Sequence, residues 1–309
     1  MNGHVEVLEQ RAHGQLARGD ARGAIESLRA ALSQAPDDPD LHAVLAIALL
    51  ACKRRHAARL EAETAVTLAP ELAEAHRALG YARMAFRDLP GAGESFARSA
   101  ALAPDDAAAH LALGRLHAAA GRRAEARAAF ERALLLEPGD PDPMVALGDL
   151  ELQAGRTGAA RERALAALAE LPEHEDALEL MGRVLLAEGR AEEAREHALW
   201  ILRQDATSEG AIRLLCAAKA RRSLLLGLWW RWNAFMSSFA EGRTILILVG
   251  LYVAQRLATL ALRDAGLATA AGGVSYVWLA FALYTWFGPA MFARSLRKEL
   301  AAVRLRPDF

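Results

Sequence analysis

Three histidines recur at a fixed interval: His42, His76 and His110 stand 34 residues apart. Imidazoles in series are common zinc ligands, so a metal site is the first chemistry to weigh. Helices of neighbouring repeats lie about 8–10 Å apart, too far for successive rings to share one ion. Packing of each ring against a paired helix is the better account. Glu173-His174-Glu175-Asp176 lacks the second histidine of an HExxH zinc site. No glycine-rich phosphate loop and no GxSxG elbow occurs. Cys52 and Cys216 lie in different segments without ligand spacing, so reduced thiols are expected, with Cys216 a small packing residue rather than a reactive one. Ser275-Tyr276 stands in an apolar stretch with no His, Asp, Glu or Cys to move a proton. The residues point to a protein that binds rather than catalyses, with no cofactor and no metal.

The histidine interval belongs to a wider ruler. Pro36, Pro70, Pro104, Pro138 and Pro172 are each 34 residues after the last. A frame that sets them at position 32 starts repeats at residues 5, 39, 73, 107, 141 and 175. Position 8 then reads Ala12, Ala46, Gly80, Gly114, Gly148 and Gly182, and position 20 is Ala throughout, from Ala24 to Ala194. One period accommodates two helices of ordinary length with short turns. The small residues at positions 8 and 20 let the two helices approach closely. Proline at position 32 lacks an N–H and disfavours helix in the residue before it, which stops the second helix. Asp38, Asp106 and Asp140 are placed to cap the next helix, with Pro39 and Pro141 at its first position. Gly19, Gly121, Gly155 and Gly189 suit the turn at position 15, where repeats two and three carry Lys53 and Arg87.

These columns resemble the tetratricopeptide repeat (TPR) family. Leu113, Gly114, Ala126, Phe130, Ala133 and Pro138 match its pattern in full, and repeat three departs only in placing Ser99 where Ala is expected. The resemblance covers residues 5–208 as six repeats, and residues 209–222 read as a capping half-repeat. It implies an all-α superhelical solenoid whose first helices line a concave groove for a protein or peptide partner. The family's groove positions fall here on Val44, Ile47, Leu50, Arg77, Tyr81, Met84 and Arg115, together with Glu6, Glu9, Gln10 and His13. The mid-array strip of Ile47, Tyr81 and Met84 suits an apolar or amphipathic segment. Packing within the solenoid is the other reading of the same side chains. The Lys and Asn by which some family members grip a chaperone's terminal carboxylate are missing, which disfavours that ligand.

Composition changes near Ser223. Residues 223–243 form an amphipathic juxtamembrane helix, with Trp229, Trp230 and Trp232 suited to a membrane interface. Residues 244–262 and 267–293 are each about the length of a bilayer span, so 244–293 is expected as a transmembrane hairpin, with Arg256 its one awkward charge. Residues 294–309 form a basic tail. Arginines and lysines flank the hairpin on both outer sides, while the connection offers only Arg263 against Asp264. The positive-inside rule then places repeats and C-terminus in the cytoplasm, at the plasma (inner) membrane. Met1 to Gln15 has no apolar core of signal-peptide length, which agrees. The preference for Arg over Lys suggests a GC-rich bacterium, and a net charge of −1 speaks against nucleic-acid binding. Two functions fit. In one the repeats recruit a partner and the hairpin anchors them. In the other the hairpin makes the functional contacts, as an accessory subunit of a membrane complex.

Overall fold

A computed structural model describes residues 2–222, 241–267 and 269–280, with the single residues 282 and 294; the side chains of residues 2, 222 and 241–249 lie outside that description. Among the described residues there are helices and no strand. The helices come in pairs on the 34-residue frame: α1 (Asn2–Ala17) with α2 (Ala21–Leu32), α3 (Pro39–Ala51) with α4 (Arg55–Leu68), and α5 (Ala73–Ala85) with α6 (Leu89–Leu102). Three more pairs follow: α7 (Ala107–Ala119) with α8 (Arg123–Leu136), α9 (Pro141–Gln153) with α10 (Thr157–Glu170), and α11 (Glu175–Ala187) with α12 (Ala191–Gln204), then α13 (Glu209–Arg222). The chain divides into two compact units, Met1–His174 and Glu175–Phe309.

Local chemistry sets each boundary. The turn inside a pair needs one residue in the left-handed region, and the position-15 column supplies it every time. Gly19, Gly121, Gly155 and Gly189 have φ between 74° and 83°, and Lys53 and Arg87 adopt 58° and 62° at the same place. The register therefore overrides the penalty an L side chain carries there. Asp38, Asp106 and Asp140 cap α3, α7 and α9 through backbone N–H groups two residues on, with Pro39 and Pro141 in the first turn, as the sequence predicts. Asp20 and Asp88 cap the second helices α2 and α6, accepting from Gly23 and Gly91. A Cβ at Gly23 or Gly91 would fall 2.2–2.3 Å from the capping carboxylate, so this cap comes with its own glycine.

The histidine column has a role beyond packing. Nε2 of His42, His76 and His110 lies 2.8–2.9 Å from the carbonyl oxygen of Pro36, Pro70 and Pro104 respectively. Each ring donates across the joint between one repeat and the next, to the carbonyl of the proline in the turn after the second helix. The two 34-residue columns are thus halves of one contact.

The small residue at position 8 answers to a ring at position 24 rather than to position 20 alone. A Cβ at Gly80 would sit 2.4 Å from the Phe96 ring, and one at Gly114 would sit 2.3 Å from Phe130. Both rings are fully buried, Phe96 packed with Leu116 and Phe130 with Leu147, in the core of Met1–His174. In this unit the first helices also touch one another, α3 with α5, α5 with α7 and α7 with α9. No comparable contact joins successive second helices among the described residues. The pairs fan outward from the first-helix side, which is the inner face.

In Glu175–Phe309, α11 and α12 pack with α13. Leu214 of α13 closes on Gly182, where a Cβ would meet it at 2.2 Å, and Cys216 is buried. Helix Glu241–Asp264 ends at Gly266, φ 74°, where the Leu267 N–H donates to the Leu262 carbonyl at 2.9 Å. The chain then returns as helix 269–280, and the rings of Tyr252 and Trp278 stand 6.3 Å apart. Thr259 and Ala271 are buried, while Tyr252, Val253, Leu257, Leu260, Tyr276 and Val277 are exposed. Among the described residues no helix is long and apolar enough to cross a membrane. The expected spans, 244–262 and 267–293, both run into residues whose side chains are outside the description. The expected interfacial helix with Trp229, Trp230 and Trp232 and the tail beyond Arg294 also lie outside the described residues.

Candidate functional site

The inner face of Met1–His174 is built by repetition. Position 9 of each first helix contributes one side chain to it, in the order His13, Ile47, Tyr81, Arg115 and Asp149. Position 12 adds Leu50 and Met84, one turn further along α3 and α5. Helical spacing places these residues side by side, because positions 9 and 12 share a face.

The residues expected at the groove are not equally available. Val44 is 3% exposed and belongs to the core around Leu28, Leu41 and Leu45. Leu50 leans on the same core but keeps part of its surface open. Ile47 is half-buried against the alanine-rich cluster of Ala43, Ala46, Ala75 and Ala78. Tyr81 and Met84 are half-buried against Phe96, which meets Tyr81 edge-on with ring centroids 5.0 Å apart. The sequence offers two readings for these side chains, groove or core, and Ile47, Leu50, Tyr81 and Met84 combine both. Each has one side in the core and one side open.

Charge is arranged in two groups along this face. Arg115 on α7 donates to Asp142 on α9 at 2.7 Å, and His174 Nε2 lies 3.2 Å from the other oxygen of the same carboxylate. The hydrogen bond to His174 holds the Asp142 carboxyl below its usual value; burial opposes this and Arg115 reinforces it. Burial alone would lower the Arg115 guanidinium, but Tyr81 and Asp142 more than offset it and hold it above its usual value. The second group lies at the other end. Burial raises the Glu9 carboxyl, His13 lowers it, and Asp38, Asp40 and Glu74 raise it further. Glu9 on α1 thus feels the carboxylates of Asp38 and Asp40, at the cap and first turn of α3, and of Glu74 on α5, while Asp40 feels Asp38. Glu74 is paired with Arg77 at 3.0 Å, and the Arg77 Nε is buried without a hydrogen bond.

Sequence reasoning lists Glu6 and Glu9 but misses that Asp40 and Glu74 act on Glu9. Its signal is the position-2 column, Glu6, Asp40, Glu74 and Asp142, acidic in four of the first five repeats. It also misses Glu151, a buried carboxylate bridged by Arg127 at 2.6 Å and by Arg156. The hydrogen bond from Arg156 is the chief cause of its lowered carboxyl pKa. That cluster ties α8, α9 and the next turn together. Among the described residues no group of three His, Cys, Asp or Glu could hold a metal ion.

A tetratricopeptide repeat profile matches residues 15–80 and 83–147, and a second one matches 145–209. None of the curated proteins matches the chain. Among solved structures, a thermophilic TPR protein of Thermus thermophilus is 26% identical, with a TM-score of 0.54 over 60% of this chain and 98% of that one. A tetratricopeptide repeat protein from Parabacteroides merdae is 15% identical, TM-score 0.51, covering 81% and 99%. The APC/C assembly Cut9-Hcn1 is 18% identical, TM-score 0.64, covering 94% of this chain and 55% of that one. The last two share the fold alone. Repeated helical pairs on a 34-residue frame, a glycine–phenylalanine lock and profile matches over residues 15–80, 83–147 and 145–209 lead to one conclusion: the chain belongs to the tetratricopeptide repeat family.

Proposed function

We propose that this chain is a non-enzymatic scaffold that docks a protein or peptide partner on the inner face of its repeats and holds it at a membrane. The observation that carries the docking half is the half-open strip of Ile47, Leu50, Tyr81 and Met84 on adjacent first helices. A side chain seated on a rigid core and open on its other side is pre-organised to receive an apolar anchor, which reduces the ordering penalty of binding. The membrane half rests on the apolar sequence of 244–262 and 267–293 and on the ring of exposed apolar side chains around the C-terminal helical pair. In this reading the plasma membrane carries the hairpin, Trp229, Trp230 and Trp232 sit at its surface, and the repeats and C-terminus face the cytoplasm.

Deleting residues 223–309 tests it. The truncated chain is expected in the soluble fraction with its partner still bound, while the full chain sediments with membranes and is released by detergent. A full chain that stays in the supernatant after gentle lysis would overturn the membrane half. Loss of partner capture on deletion, with capture retained by the isolated C-terminal segment, would favour the hairpin as the working part. Arg256 gives that second reading its observation: it is exposed on one helix among the exposed apolar side chains of Tyr252, Val253, Leu257 and Leu260.

A further inference from the structure

The docking surface is chemically uneven, and its uneven end has an unmet need. Glu9 comes from α1, Asp40 from the first turn of α3 and Glu74 from the first turn of α5. Asp38 is already engaged, accepting from the N–H groups of Asp40 and Leu41 as the cap of α3. Asp40 has only burial and Asp38 acting on it, both raising its carboxyl above the usual value. Glu9 has His13 at 3.9 Å, and Glu74 has Arg77. The inner helix α3 carries neither Lys nor Arg, and α1 carries only Arg11, at position 7 rather than at a groove position; on α5, Arg77 is engaged by Glu74 and Arg83 donates to the Gly91 carbonyl and to Ser95 of α6. The carboxylates are also spread across three helices, and no three acidic or histidine groups among the described residues could hold a metal ion. A set of spaced cations suits them better than a single ion does. About two turns further along α3 and α5, on the same helix face, lies the half-open strip of Ile47, Tyr81 and Met84.

We propose that the inner face of the first three repeats takes a basic amphipathic segment of a partner protein, with its Lys or Arg side chains on Glu9, Asp40 and Glu74 and its apolar side chains on Ile47, Tyr81 and Met84. This rests on the docking reading above and gives its partner a chemistry. An incoming ammonium or guanidinium offsets the repulsion that Glu9 meets from Asp38, Asp40 and Glu74, so attraction is realised only in the complex. An acidic segment would meet the same carboxylates with like charge, which makes the face selective as well as adhesive.

The test titrates the full-length protein with two labelled synthetic peptides by fluorescence anisotropy. One carries Leu and Lys at helical spacing, and the other has Glu in place of every Lys. The Lys peptide is expected to bind, more weakly as salt rises, and the Glu peptide to fail. Asp40→Asn with Glu74→Gln should weaken the Lys peptide by about tenfold with the circular dichroism spectrum and melting temperature unchanged. Tyr81→Ala, a second variant, should weaken it without altering the salt dependence. Equal affinity of the Lys peptide for wild type and the carboxylate variant overturns the proposal, as does binding of neither peptide. If the Glu peptide binds instead and Tyr81→Ala abolishes that binding, docking on this face stands and its assignment to a basic partner falls.

Discussion

At the scale of single residues, Ser99 shows how strictly the repeat register is held. It is fully buried at a position where the tetratricopeptide pattern has alanine, and its hydroxyl has no hydrogen-bond partner. A buried hydroxyl without a partner forfeits its hydration for nothing, so Ser99→Ala should stabilise the protein by about 1 kcal/mol, read as a rise in the denaturation midpoint with an unchanged slope. Asp142 is the opposite case, a carboxylate held in its charged form by His174 and Arg115. Its folded pKa lies below the unfolded one, so its contribution is complete above the ordinary aspartate range and is lost as pH falls through the depressed value. Wild type should therefore exceed Asp142→Asn in stability at neutral pH, and the gap should close on acidification. A gap that is flat with pH would mean the charge on Asp142 contributes nothing.

At the scale of elements, the turn within each helical pair decides more than the helices do. Six turns take one left-handed residue, and the chain meets the requirement with glycine in four and with Lys53 and Arg87 in two. A side chain in that region costs about 1–2 kcal/mol relative to its preferred conformation, part of which glycine gives back through its freer unfolded chain. Arg87→Gly should accordingly raise stability by about 1 kcal/mol, seen as slower unfolding or a higher melting temperature. A fall instead would show that the exposed Arg87 side chain stabilises the fold by a contact beyond the backbone turn. The caps show a similar division. First helices take Asp38, Asp106 and Asp140, and only α2 and α6 among the second helices from α2 to α10 are capped by a side chain, where Asp20 and Asp88 meet a glycine three residues on.

At the scale of the molecule, Met1–His174 is five near-identical steps, each stabilised mainly by its neighbours. Such an array loses stability by degrees when a step is removed, since each interface is local. Removing residues 1–38 strips α1 and α2 from α3 and bares Leu41, Val44, Leu45 and Leu49. The shortened chain should keep its helical circular dichroism signature and melt at a lower temperature, with the loss confined to the exposed end in hydrogen exchange. Complete unfolding would show that the first repeat nucleates the rest instead of extending it.

The sequence alone determined the architecture, because the 34-residue period is a property of the chain and each column answers to backbone chemistry: proline stops a helix, glycine takes a left-handed turn, aspartate caps. Through the family's groove positions it also listed candidate side chains for the inner face, and helical periodicity puts positions 9 and 12 on one face. Only the tertiary structure decided which of them remain open, because burial depends on neighbours from other repeats. Val44 and Ile47 are three residues apart on one helix, and the first is sealed by α2 while the second is left half-open beside α5. The same holds for partnerships across repeats. His76 and Pro70, or Gly80 and Phe96, are unrelated letters until packing brings them within reach.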